Sequence, residues 1–378
     1  MKVAVIGGGI AGFCAAIALG RAGADVEVFE RGPSIRESGA GLSLWPNATY
    51  ALRELDLLEA CSRSACRVRR IRLREPDGRE WASISVAGET PALCLSRPAL
   101  LSALLAAVAP RRIHVGRTCE GILPESGDGR KPRVRFEGGR TLDFDAVIGA
   151  DGLGSVVRPF VTGRAERPVY RGYMIWRGVV QAPMPSFAEG EITETWGQGE
   201  RFGIMPIGEG TLCWYATRNQ PDTASPQSKA GLLERFRGWH PPIAALIGAT
   251  PESAILRTPA LDRPTTRRWV RGRVVLIGDA AHPMTPNLGQ GTCQAIEDAL
   301  TLSRMLSREE PIEAAFRRFE TRRRGRAAAV VLGARWVGRF AQSEGPAVRW
   351  ALRGLPRVLS EGILERSFRA LHDFRAGA

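Results

Sequence analysis

The sequence predicts an α/β protein that consists of a Rossmann-like nucleotide-binding domain, an antiparallel-sheet domain inserted into it, and helices at the C-terminal end. Three observations predict this fold. A glycine-rich turn joins an apolar strand to a helix at the start of the chain, two later apolar strands each end in an aspartate beside a glycine, and short alternating runs lie between those two strands. The 378 residues are enough for two domains with a sizeable core.

The first element is a strand, a turn and a helix that carry a dinucleotide-binding fingerprint. Residues 3–6 (VAVI) are typical of a buried parallel strand, and residues 7–12 (GGGIAG) match the pattern G-x-G-x-x-G. A helical pattern follows over residues 13–22, and a second strand over residues 25–29 ends in Glu30, 18 residues after the last glycine of the fingerprint. The sequence context that a Rossmann fold requires is therefore present.

Each glycine of the fingerprint has its own physical task. Gly7 makes a tight turn, Gly9 lets the backbone approach a pyrophosphate, and Gly12 lets the helix pack closely on the strand. The helix end offers free N–H groups and the positive end of its dipole to phosphates. Glu30 is placed to accept hydrogen bonds from the ribose of an adenosine, and an acid there disfavours a 2′-phosphate. The fingerprint predicts FAD or NAD and does not choose between them.

Two later segments repeat the arrangement in which a buried strand delivers an acid to a turn. Residues 145–158 (DAVIGADGLGSVVR) run from a strand into an acid-glycine turn and a short helix with Arg158. Residues 273–291 (RVVLIGDAAHPMTPNLGQG) do the same and lead into a helix over residues 292–306. The N-terminus of that helix is suited to an anion or to a partly negative ring atom.

The segment between these two motifs predicts a second domain. Residues 191–196, 202–207 and 211–217 read as strands of an antiparallel sheet, and residues 73–86 are expected to add strands to it. We therefore expect a discontinuous nucleotide-binding domain, a sheet domain that binds the substrate, and a C-terminal helical segment. Their predicted bounds are 1–72, 96–166 and 268–329 for the first, 73–95 and 167–267 for the second, and 330–378 for the third.

The three motifs, in this order and spacing, resemble those of the single-component FAD-dependent aromatic hydroxylases, the para-hydroxybenzoate hydroxylase-like flavoprotein monooxygenases. The resemblance covers about residues 1 to 325. It implies that the first domain binds FAD and that the protein is an NAD(P)H- and FAD-dependent monooxygenase, which inserts one oxygen atom of O2 into an aromatic or heteroaromatic small molecule via a flavin C4a-hydroperoxide. Because the flavin carries the difficult step, no side chain has to act as a nucleophile.

The resemblance also assigns residues to the cofactor. Asp279 would bind a ribityl hydroxyl, and the backbone amides of residues 288–292 would face the flavin N1–C2 edge, where negative charge grows on reduction. Asp151 belongs to a motif linked to the FAD pyrophosphate and to NAD(P)H, with Arg158 as its ion partner. The predicted cofactor-binding residues are Gly7, Gly9, Ala11, Gly12, Glu30, Arg31, Leu42, Ser43, Arg97, Thr118, Asp151, Asp279, Leu288, Gly289, Gln290, Gly291 and Thr292.

The resemblance places the substrate between the flavin and the inserted sheet. The carbonyl of Pro286 would point at the substrate over the flavin face, and Arg201 aligns with a position where some relatives hold a polar or anionic substrate. His282 is expected to be a hydrogen-bonding member of its loop rather than a base. A tyrosine of some relatives falls here near Cys213, which is no substitute for a phenol donor. Further substrate contacts are predicted at Trp45, Arg177, Met205 and Trp214.

The charge balance is strongly basic but does not by itself indicate a nucleic-acid partner. The 53 basic and 39 acidic residues give a formal net charge of +14, and the arginines are spread along the whole chain. The densest run, residues 317–326, lies in a helical pattern and is expected to form a solvated face, with attraction of an anionic substrate, cofactor or membrane as the alternative. We expect no nucleic-acid partner, and the basic C-terminal helices are the candidate for a peripheral membrane contact or for admission of an apolar substrate.

Cysteine content and hydropathy predict a cytoplasmic protein. The seven cysteines contain no C-x-x-C pair, which argues against a disulfide framework or a zinc site, and no metal ligand is predicted. No apolar stretch approaches the roughly 20 residues of a membrane-spanning helix, and the chain starts with a strand rather than a targeting segment.

Two other functions remain open at this point. One is a flavin-dependent reductase or dehydrogenase on the same scaffold, and the other is a non-catalytic protein that binds a nucleotide or nucleic acid. Because the sequence has no second complete G-x-G-x-x-G, we expect NAD(P)H to bind transiently. NADH and NADPH are both compatible with the motifs, as are a monomer and a homodimer.

Overall fold

The structure, a computed structural model, describes residues 1–35, 39–86, 88–123, 131–181, 190–208, 210–221, 228–306, 310–345 and 361–374. Its strands are, in chain order, β1 (Lys2–Ile6), β2 (Asp25–Phe29), β3 (Gly41–Leu44), β4 (Cys66–Val68), β5 (Arg70–Arg74), β6 (Glu80–Ser85), β7 (Ala92–Ser96), β8 (Ile113–His114), β9 (Cys119–Leu123), β10 (Arg133–Phe136), β11 (Thr141–Asp143), β12 (Ala146–Gly149), β13 (Val169–Gln181), β14 (Glu191–Trp196), β15 (Glu200–Gly208), β16 (Thr211–Asn219), β17 (Leu256–Asp262), β18 (Val270–Arg271) and β19 (Val274–Leu276). Its helices are α1 (Ile10–Arg21), α2 (Pro46–Glu54), α3 (Leu58–Ser62), α4 (Arg97–Ala106), α5 (Arg158–Thr162), α6 (Lys229–Arg235), α7 (Ile243–Ala249), α8 (Gly291–Leu306), α9 (Ile312–Ala341) and α10 (Glu361–His372).

The Rossmann-like domain is built on a six-stranded sheet in the order β18-β19-β12-β1-β2-β8. Its strands pair in parallel except β18, which adds an antiparallel edge. β1 and β12 are buried, which explains why their sequences are uninterrupted apolar runs. The carboxyl ends of β1, β12 and β19 carry the three motifs and lie side by side in this order, with α1 packed against α8 next to them. The predicted Rossmann-like fold is confirmed.

The second domain is a seven-stranded sheet in the order β17-β13-β16-β15-β14-β5-β6. All neighbouring strands are antiparallel except β5 and β14, which are parallel. The expected antiparallel sheet is therefore present, and it includes strands from the segment that precedes β7. β5 begins at Arg70, before the predicted domain bound at residue 73.

The two faces of this sheet have different neighbours. One face buries Trp176, Phe202 and Trp214 against α6 and α7. Because side chains alternate between the faces of a strand, the intervening residues point the other way, toward the Rossmann-like domain. The backbone amide of Gly41 in β3 donates a hydrogen bond to the Cys213 sulfur of this second face at 3.1 Å. The face that carries Cys213 therefore lies toward the Rossmann-like domain. We call the region between this face and the carboxyl ends of β1, β12 and β19 the cleft.

α9 is a single helix of 30 residues that reaches from one domain to the other. It packs against α8 in the Rossmann-like domain, and directly after it Gln342 accepts a hydrogen bond from Arg201 of the sheet at 2.8 Å. The helix crosses the predicted boundary at residues 329/330 without interruption. It contains no proline, and its buried side chains, among them Phe319 and Val331, continue on both sides of that boundary.

The C-terminal helix α10 packs against Trp45, the residue that directly precedes α2. The rings of Phe368 and His372 lie 5.2 and 5.3 Å from the ring of Trp45, measured between centroids. Three apolar residues of the tail, Trp350, Leu352 and Leu355, lie outside the described residues. Within the described ranges, no helix combines the length and the apolar character needed to cross a bilayer.

Candidate active site

The three fingerprint glycines lie where β1 turns into α1, and their surroundings differ. Gly7 has a φ of +113°, and a Cβ atom there would lie 2.4 Å from the carbonyl oxygen of Ala150. A Cβ atom on Gly12 would lie 1.9 Å from the carbonyl oxygen of Gly7. A Cβ atom on Gly9, at the N-terminal end of α1, would meet nothing within 4 Å. Two of the glycines are needed for packing, whereas Gly9 faces open space at a helix N-terminus.

Glu30 is held at the edge of this turn by two backbone donors. The amide of Gly8 donates to its Oε2 atom and the amide of Gly32 donates to its Oε1 atom, both at 2.8 Å. Glu30 is half-buried, and Arg31 beside it is exposed. Each carboxylate oxygen has a second acceptor position, so that Glu30 can still accept hydrogen bonds from hydroxyl groups.

Asp151 follows β12, next to the Gly7 turn, and one of its oxygens is without a partner. Its Oδ2 atom accepts hydrogen bonds from the amides of Val156 at 2.7 Å and Val157 at 3.1 Å. Its Oδ1 atom is buried and has no hydrogen-bond partner among the described residues. Burial raises the pKa of Asp151, with the hydrogen bonds acting in the opposite direction. A buried acceptor of this kind is open to a donor from a bound ligand, since the described residues supply none.

The predicted ion pair between Asp151 and Arg158 is wrong. Arg158 is almost completely buried and pairs with Glu166 at 2.8 Å. It also donates hydrogen bonds to the carbonyl oxygens of Ala280 and Ala281, both at 2.9 Å. Arg158 starts α5 and extends toward the loop of the third motif, where Glu166 supplies the acid. Its role is to tie the loops that follow β12 and β19 to each other.

The loop after β19 presents one carboxylate to the cleft and holds a histidine beneath it. Asp279 is exposed in the cleft, yet protein surrounds it closely enough that desolvation raises its pKa, against the effect of His282. His282 is buried, and its Nε2 atom lies 2.6 Å from an oxygen of Asp298 in α8. This contact agrees with the expectation that His282 is a hydrogen-bonding member of its loop.

The segment between this loop and α8 turns sharply at the cleft. Pro286 is exposed there, and its carbonyl oxygen accepts a hydrogen bond from the amide of Gly289 at 2.9 Å. Gly289 has a φ of +61°, and a Cβ atom on it would lie 2.9 Å from the indole nitrogen of Trp45. The side chain of Gln290 is bonded to Asn47 at 2.9 Å and is buried, so that only its backbone can serve a ligand.

The prediction that Trp45 contacts the substrate is wrong. Trp45 is 6% exposed, and its ring lies against α10, behind the Gly289 turn. Its indole N–H is buried and has no hydrogen-bond partner among the described residues. Trp45 therefore supports the turn from below instead of facing the sheet.

A buried ionic network lies under α8, and the sequence analysis missed it. Glu297 and Asp298 are both fully buried. Arg323 of α9 donates to Asp298 at 2.7 Å and forms an ion pair with Glu297, and Arg326 donates to Glu297 at 2.8 Å. The run 317–326 was expected to be a solvated face, which is wrong for Arg323, since that side chain is 1% exposed. The two adjacent acids in an otherwise apolar helix could have indicated this buried network.

One row of side chains crosses the cleft-facing side of the sheet. Strand register places Arg177 opposite Tyr215, Tyr215 opposite Gly203, and Gly203 opposite Glu194. A Cβ atom on Gly203 would lie 2.1 Å from the Tyr215 ring, so the ring lies flat over this glycine. Burial first, and then Glu194 by charge and a hydrogen bond, raise the pKa of Tyr215 well above its ordinary value. The phenol of Tyr215 is therefore protonated and lies on the cleft-facing side of the sheet.

Tyr215 brings a phenol to the same strand as Cys213, where the sequence offered none at the position of the relatives' tyrosine. The two residues lie on the same face of β16 because they are two positions apart. Cys213 is buried against Gly41, and Tyr215 is the next side chain along that face. The period-two pattern of β16 was the signal that could have found it.

Arg201 lies beside this row and is bonded on three sides. It is 2% exposed and donates hydrogen bonds to Glu194 at 3.0 Å, Asn287 at 2.5 Å and Gln342 at 2.8 Å. Asn287 also accepts a hydrogen bond from the phenol of Tyr173 at 3.2 Å. Arg201 thus joins the sheet, the turn at Pro286 and the residue that follows α9.

Arg177 is a cleft-facing arginine that lacks an acidic partner. It is half-buried, and its guanidinium donates to the hydroxyl of Thr258 at 2.8 Å. Among the described residues no carboxylate forms an ion pair with it, and desolvation lowers its pKa from the ordinary value. A guanidinium that is partly desolvated but not neutralised favours an anionic or strongly polar ligand group.

Trp214 does not face the cleft, so the predicted substrate contact at this residue is wrong. It is fully buried on the opposite face of the sheet, where its ring stacks on Phe202 and its N–H donates to Thr250 at 2.8 Å. Met205 lies opposite Cys213 in the sheet and is half-buried on the cleft side. Its contact with the substrate stays a prediction.

The remaining predicted cofactor residues lie in β3, before β9, at the start of α4 and beside the third motif. Leu42 and Ser43 are half-buried in β3, and Thr118 directly precedes β9. The side chain of Arg97, the first residue of α4, lies across Gly39. Ala11 packs against Gly278 of the third motif, because a Cβ atom on Gly278 would lie 3.0 Å from the Cβ atom of Ala11.

These residues fit a bound dinucleotide in four places. Gly9 leaves open space at the N-terminus of α1, and the buried Oδ1 atom of Asp151 lacks a donor. The carboxylate of Asp279 faces the cleft, and the backbone at residues 289–292 forms the N-terminal end of α8. These four places follow one another along the carboxyl ends of β1, β12 and β19, as the parts of an extended dinucleotide would.

Comparisons with known proteins agree with this geometry. Residues 1–334 match a family model described as an FAD binding domain. The chain is 39% identical over 367 residues to an aurachin C monooxygenase/isomerase of Stigmatella aurantiaca, which covers 95% of this chain and 94% of that protein. It is 33% identical to an FAD-dependent urate hydroxylase of Klebsiella pneumoniae over 89% of each chain.

A solved structure shows the same architecture. The crystal structure of Klebsiella pneumoniae HpxO complexed with FAD and uric acid superimposes with a TM-score of 0.92 and 29% identity, over 98% of this chain and 96% of that one. A 6-hydroxynicotinate 3-monooxygenase of Bordetella bronchiseptica is 31% identical over 87% of this chain and 89% of its own length.

Proposed function

Because the chain belongs to the family of FAD-dependent aromatic hydroxylases, we propose that its cleft holds FAD on the side of the Rossmann-like domain and a polar heteroaromatic ring on the side of the inserted sheet. The protein is an FAD-dependent monooxygenase that acts on an aromatic or heteroaromatic substrate. O2 is the oxygen source, and NAD(P)H is the electron donor typical of the family. The observation that carries the assignment of the ring is Arg177, an arginine in the cleft without an acidic partner among the described residues.

The Rossmann-like domain would hold FAD through the residues predicted from the sequence. The open turn at Gly9 and the first amides of α1 would bind the pyrophosphate, and Glu30 would bind the adenosine ribose. Asp279 would accept a hydrogen bond from a ribityl hydroxyl, and the amides of residues 288–292 would face the pyrimidine edge of the flavin. When bound, FAD supplies the transfer of electrons and the activation of O2. The open turn, the unpartnered oxygen of Asp151 and the exposed carboxylate of Asp279 support this assignment.

The inserted sheet would orient the ring. Arg177 would donate to a carbonyl, phenolate or carboxylate oxygen of the substrate. The phenol of Tyr215 donates a hydrogen bond to Glu194, and its oxygen keeps acceptor positions for a ring N–H or a hydroxyl. The relatives named for urate and 6-hydroxynicotinate act on nitrogen heterocycles with oxygen substituents. We propose a substrate of the same chemical kind.

Pro286 and Arg201 would serve the reaction in different ways. The exposed Pro286 lies in the turn next to the proposed flavin edge, and we propose that its carbonyl contacts the substrate. Arg201 is hydrogen-bonded on three sides, which supports a positioning role through Asn287, one residue after Pro286. A direct contact of Arg201 with the substrate stays a prediction, for which its remaining N–H groups are available.

Replacing Arg177 by methionine tests the assignment of the ring. The change keeps an unbranched apolar stem and removes the guanidinium with its charge, so we expect the KM for the ring substrate to rise roughly tenfold to a hundredfold, the usual effect of losing a charged hydrogen bond. FAD binding should not change. The measurement is stopped-flow absorbance of flavin reduction by NADH and by NADPH, with a panel of benzoates, phenols, quinolones and purines.

The matched control is Arg167→Met, which removes an exposed arginine just before β13. This variant should behave as the wild type does. If Arg177→Met leaves the KM of the most effective ring compound unchanged, Arg177 does not hold the ring, and the proposed orientation is wrong.

We also propose that the protein works in the cytoplasm and touches a membrane surface through α9. Leu332, Trp336 and Phe340 are spaced four residues apart on this helix and are 47, 55 and 49% exposed. Arg339 lies over the Trp336 ring at 5.2 Å from its centroid. Exposed aromatic and cationic side chains together are typical of helices that lie at a membrane surface. The seven cysteines are all free, which supports a reducing compartment.

Sedimentation with vesicles tests the membrane contact. We expect the protein to sediment with vesicles of phosphatidylcholine and phosphatidylglycerol, less with phosphatidylcholine alone, and less for the Trp336→Ala variant than for the wild type. Equal amounts in the supernatant with and without vesicles would show that this face of α9 does not bind lipid.

A further inference from the structure

The C-terminal helix α10 contacts Trp45, the residue that lies directly behind the turn at the proposed flavin edge. The rings of Phe368 and His372 lie 5.2 and 5.3 Å from the Trp45 ring and 4.0 Å from each other, measured between centroids. Trp45 also lies against Gly289, since a Cβ atom on this glycine would lie 2.9 Å from the indole nitrogen. One side chain therefore contacts both the C-terminal helix and the turn that is proposed to face FAD.

The backbone around Trp45 is bonded to the same turn and to the first turn of α8. The amide of Trp45 donates a hydrogen bond to the sulfur of Cys293 at 3.5 Å. Asn47, two residues further on, donates from its side chain to Gln290 at 2.9 Å. A displacement of Trp45 would therefore be transmitted to the Gly289 turn and to the N-terminus of α8, the two features that are proposed to face the flavin.

The end of α10 is held by the buried ionic network under α8. Arg326 donates a hydrogen bond to the carbonyl oxygen of Leu371 at 3.1 Å. The ring of Phe374, two residues after the helix, lies beneath the guanidinium groups of Arg323 and Arg326, each 5.6 Å from its centroid. Contacts of this kind attract a cation to the face of an aromatic ring. Because α10 also packs against β6, it connects the inserted sheet and the ionic network to Trp45.

Two buried polar atoms weaken the docking of α10. The Nε1 atom of Trp45 and the Nε2 atom of His372 are both buried and have no hydrogen-bond partner among the described residues. The other ring nitrogen of His372 lies 2.6 Å from the carbonyl oxygen of Phe368. A polar atom that is buried without a partner destabilises the contact that buries it. The docked position of α10 is therefore sensitive to a modest change at the Gly289 turn.

We propose that Phe368 and His372 are positioning residues for the flavin, and that FAD binding and the docking of α10 are cooperative through Trp45. The inference rests on the proposed function, since FAD must lie against the Gly289 turn for Trp45 to couple the two. With α10 docked, the Trp45 ring holds this turn and the first amides of α8 in place. With α10 displaced, Trp45 is free to move away from Gly289, and the flavin is held less tightly.

Phe368→Ala tests this coupling. The change removes a ring from Trp45 and alters no residue that is proposed to contact FAD. We expect the dissociation constant for FAD to rise roughly fivefold to a hundredfold, the usual range of coupling between two sites. Quenching of flavin fluorescence on titration of the full-length apoprotein measures it. Phe368→Tyr keeps the ring and should restore the wild-type constant, and Ser367→Ala, at an exposed position of the same helix, is the matched control.

Hydrogen exchange of α10 tests the same coupling from the other direction. Because coupling between two sites is reciprocal, FAD should slow the exchange of the α10 backbone amides in the wild type. The factor should match the one by which Phe368→Ala raises the dissociation constant. In Phe368→Ala, FAD should have little effect on these amides. A purely structural role of Phe368 would lower the stability of the protein without making the exchange of α10 depend on FAD.

The outcomes separate this inference from the proposed function. If FAD binds to the wild type and to Phe368→Ala with equal constants, or if α10 exchanges equally fast with and without FAD, α10 does not position the flavin. The inference is then overturned and the FAD site stands. The exchange measurement on the wild type decides this even if the variant does not fold. If the wild type binds no FAD, the proposed function falls and the inference falls with it.

Discussion

Arg323→Leu is expected to lower the free energy of unfolding by about 3 to 5 kcal/mol, the usual cost of removing one partner from a buried ion pair. The reason is the network under α8. Arg323 is paired with both Glu297 and Asp298, and all three side chains are buried. Leucine would leave two carboxylates in the interior, and of the described cations Arg326 and His282 would remain beside them. Because α8 begins at the proposed flavin edge, retention of FAD should fall as well.

The effect should depend on pH in a defined direction. Burial alone would raise the pKa of both acids. At Glu297 this effect is outweighed by Arg323 and Arg326, which hold its pKa below the ordinary value. At Asp298 it is outweighed by His282 and Arg323, which do the same. A carboxyl of this kind contributes stability above its unfolded pKa, and that contribution is lost as the pH falls through the folded value. In the variant burial dominates, so the acids take up protons at a higher pH. The destabilisation should be full near neutral pH and shrink toward acid pH.

Denaturant unfolding of the wild type and of Arg323→Leu, from neutral to acid pH, measures the difference in the free energy of unfolding. The matched control is Arg317→Leu, on the same helix but exposed, which should change the free energy of unfolding by no more than about 0.5 kcal/mol. A loss of stability in Arg323→Leu that is no greater than in the control, or that grows toward acid pH, would contradict the account of the network.

Gly9→Ala is expected to yield a folded protein that has lost most of its affinity for FAD. The methyl group meets no protein atom within 4 Å, so the fold should tolerate it. It would occupy the space in which the backbone approaches the pyrophosphate. We expect the dissociation constant for FAD to rise tenfold or more, where each factor of ten corresponds to about 1.4 kcal/mol. Visible flavin absorbance of the purified protein and quenching of flavin fluorescence on titration measure this change.

Gly20→Ala is the matched control for this substitution. Gly20 lies in the same helix, and its added Cβ atom likewise meets nothing within 4 Å. This variant should bind FAD normally and be more stable by roughly 0.5 to 1 kcal/mol, because alanine favours a helix over glycine. Equal FAD affinity of Gly9→Ala and Gly20→Ala would show that the pyrophosphate does not lie at the Gly9 turn.

The sequence predicts those features that depend on neighbouring residues. The turn at Gly7 to Gly12, the acids that follow β12 and β19, and the N-terminus of α8 each lie within one short segment, and the chemistry of that segment determines their geometry. The alternating pattern identified the inserted sheet for the same reason, since the period of a strand is local.

Features that depend on distant contacts could not be predicted in this way. The partner of Arg158 is Glu166 and not Asp151, because the direction of the arginine is set by its packing against the loop after β19. The burial of Arg323 follows from how α9 lies on α8, and the orientation of Trp214 follows from which face of the sheet α6 and α7 cover. Periodicity separates the two faces of a strand but does not say which of them faces the cofactor.

The central claim is that this chain transfers one oxygen atom of O2 to a heteroaromatic ring held by Arg177 and Tyr215. It is tested most directly in a reaction under isotopically labelled O2, with NADH or NADPH and the ring compound that most accelerates flavin reduction, followed by mass spectrometry of the product. The account predicts one labelled oxygen atom per product molecule, and far less product from the Arg177→Met variant at low substrate concentration. If the reduced protein reacts only slowly with O2 and the ring compound is recovered without labelled oxygen, the protein is a reductase or dehydrogenase on this scaffold, and the claim is contradicted.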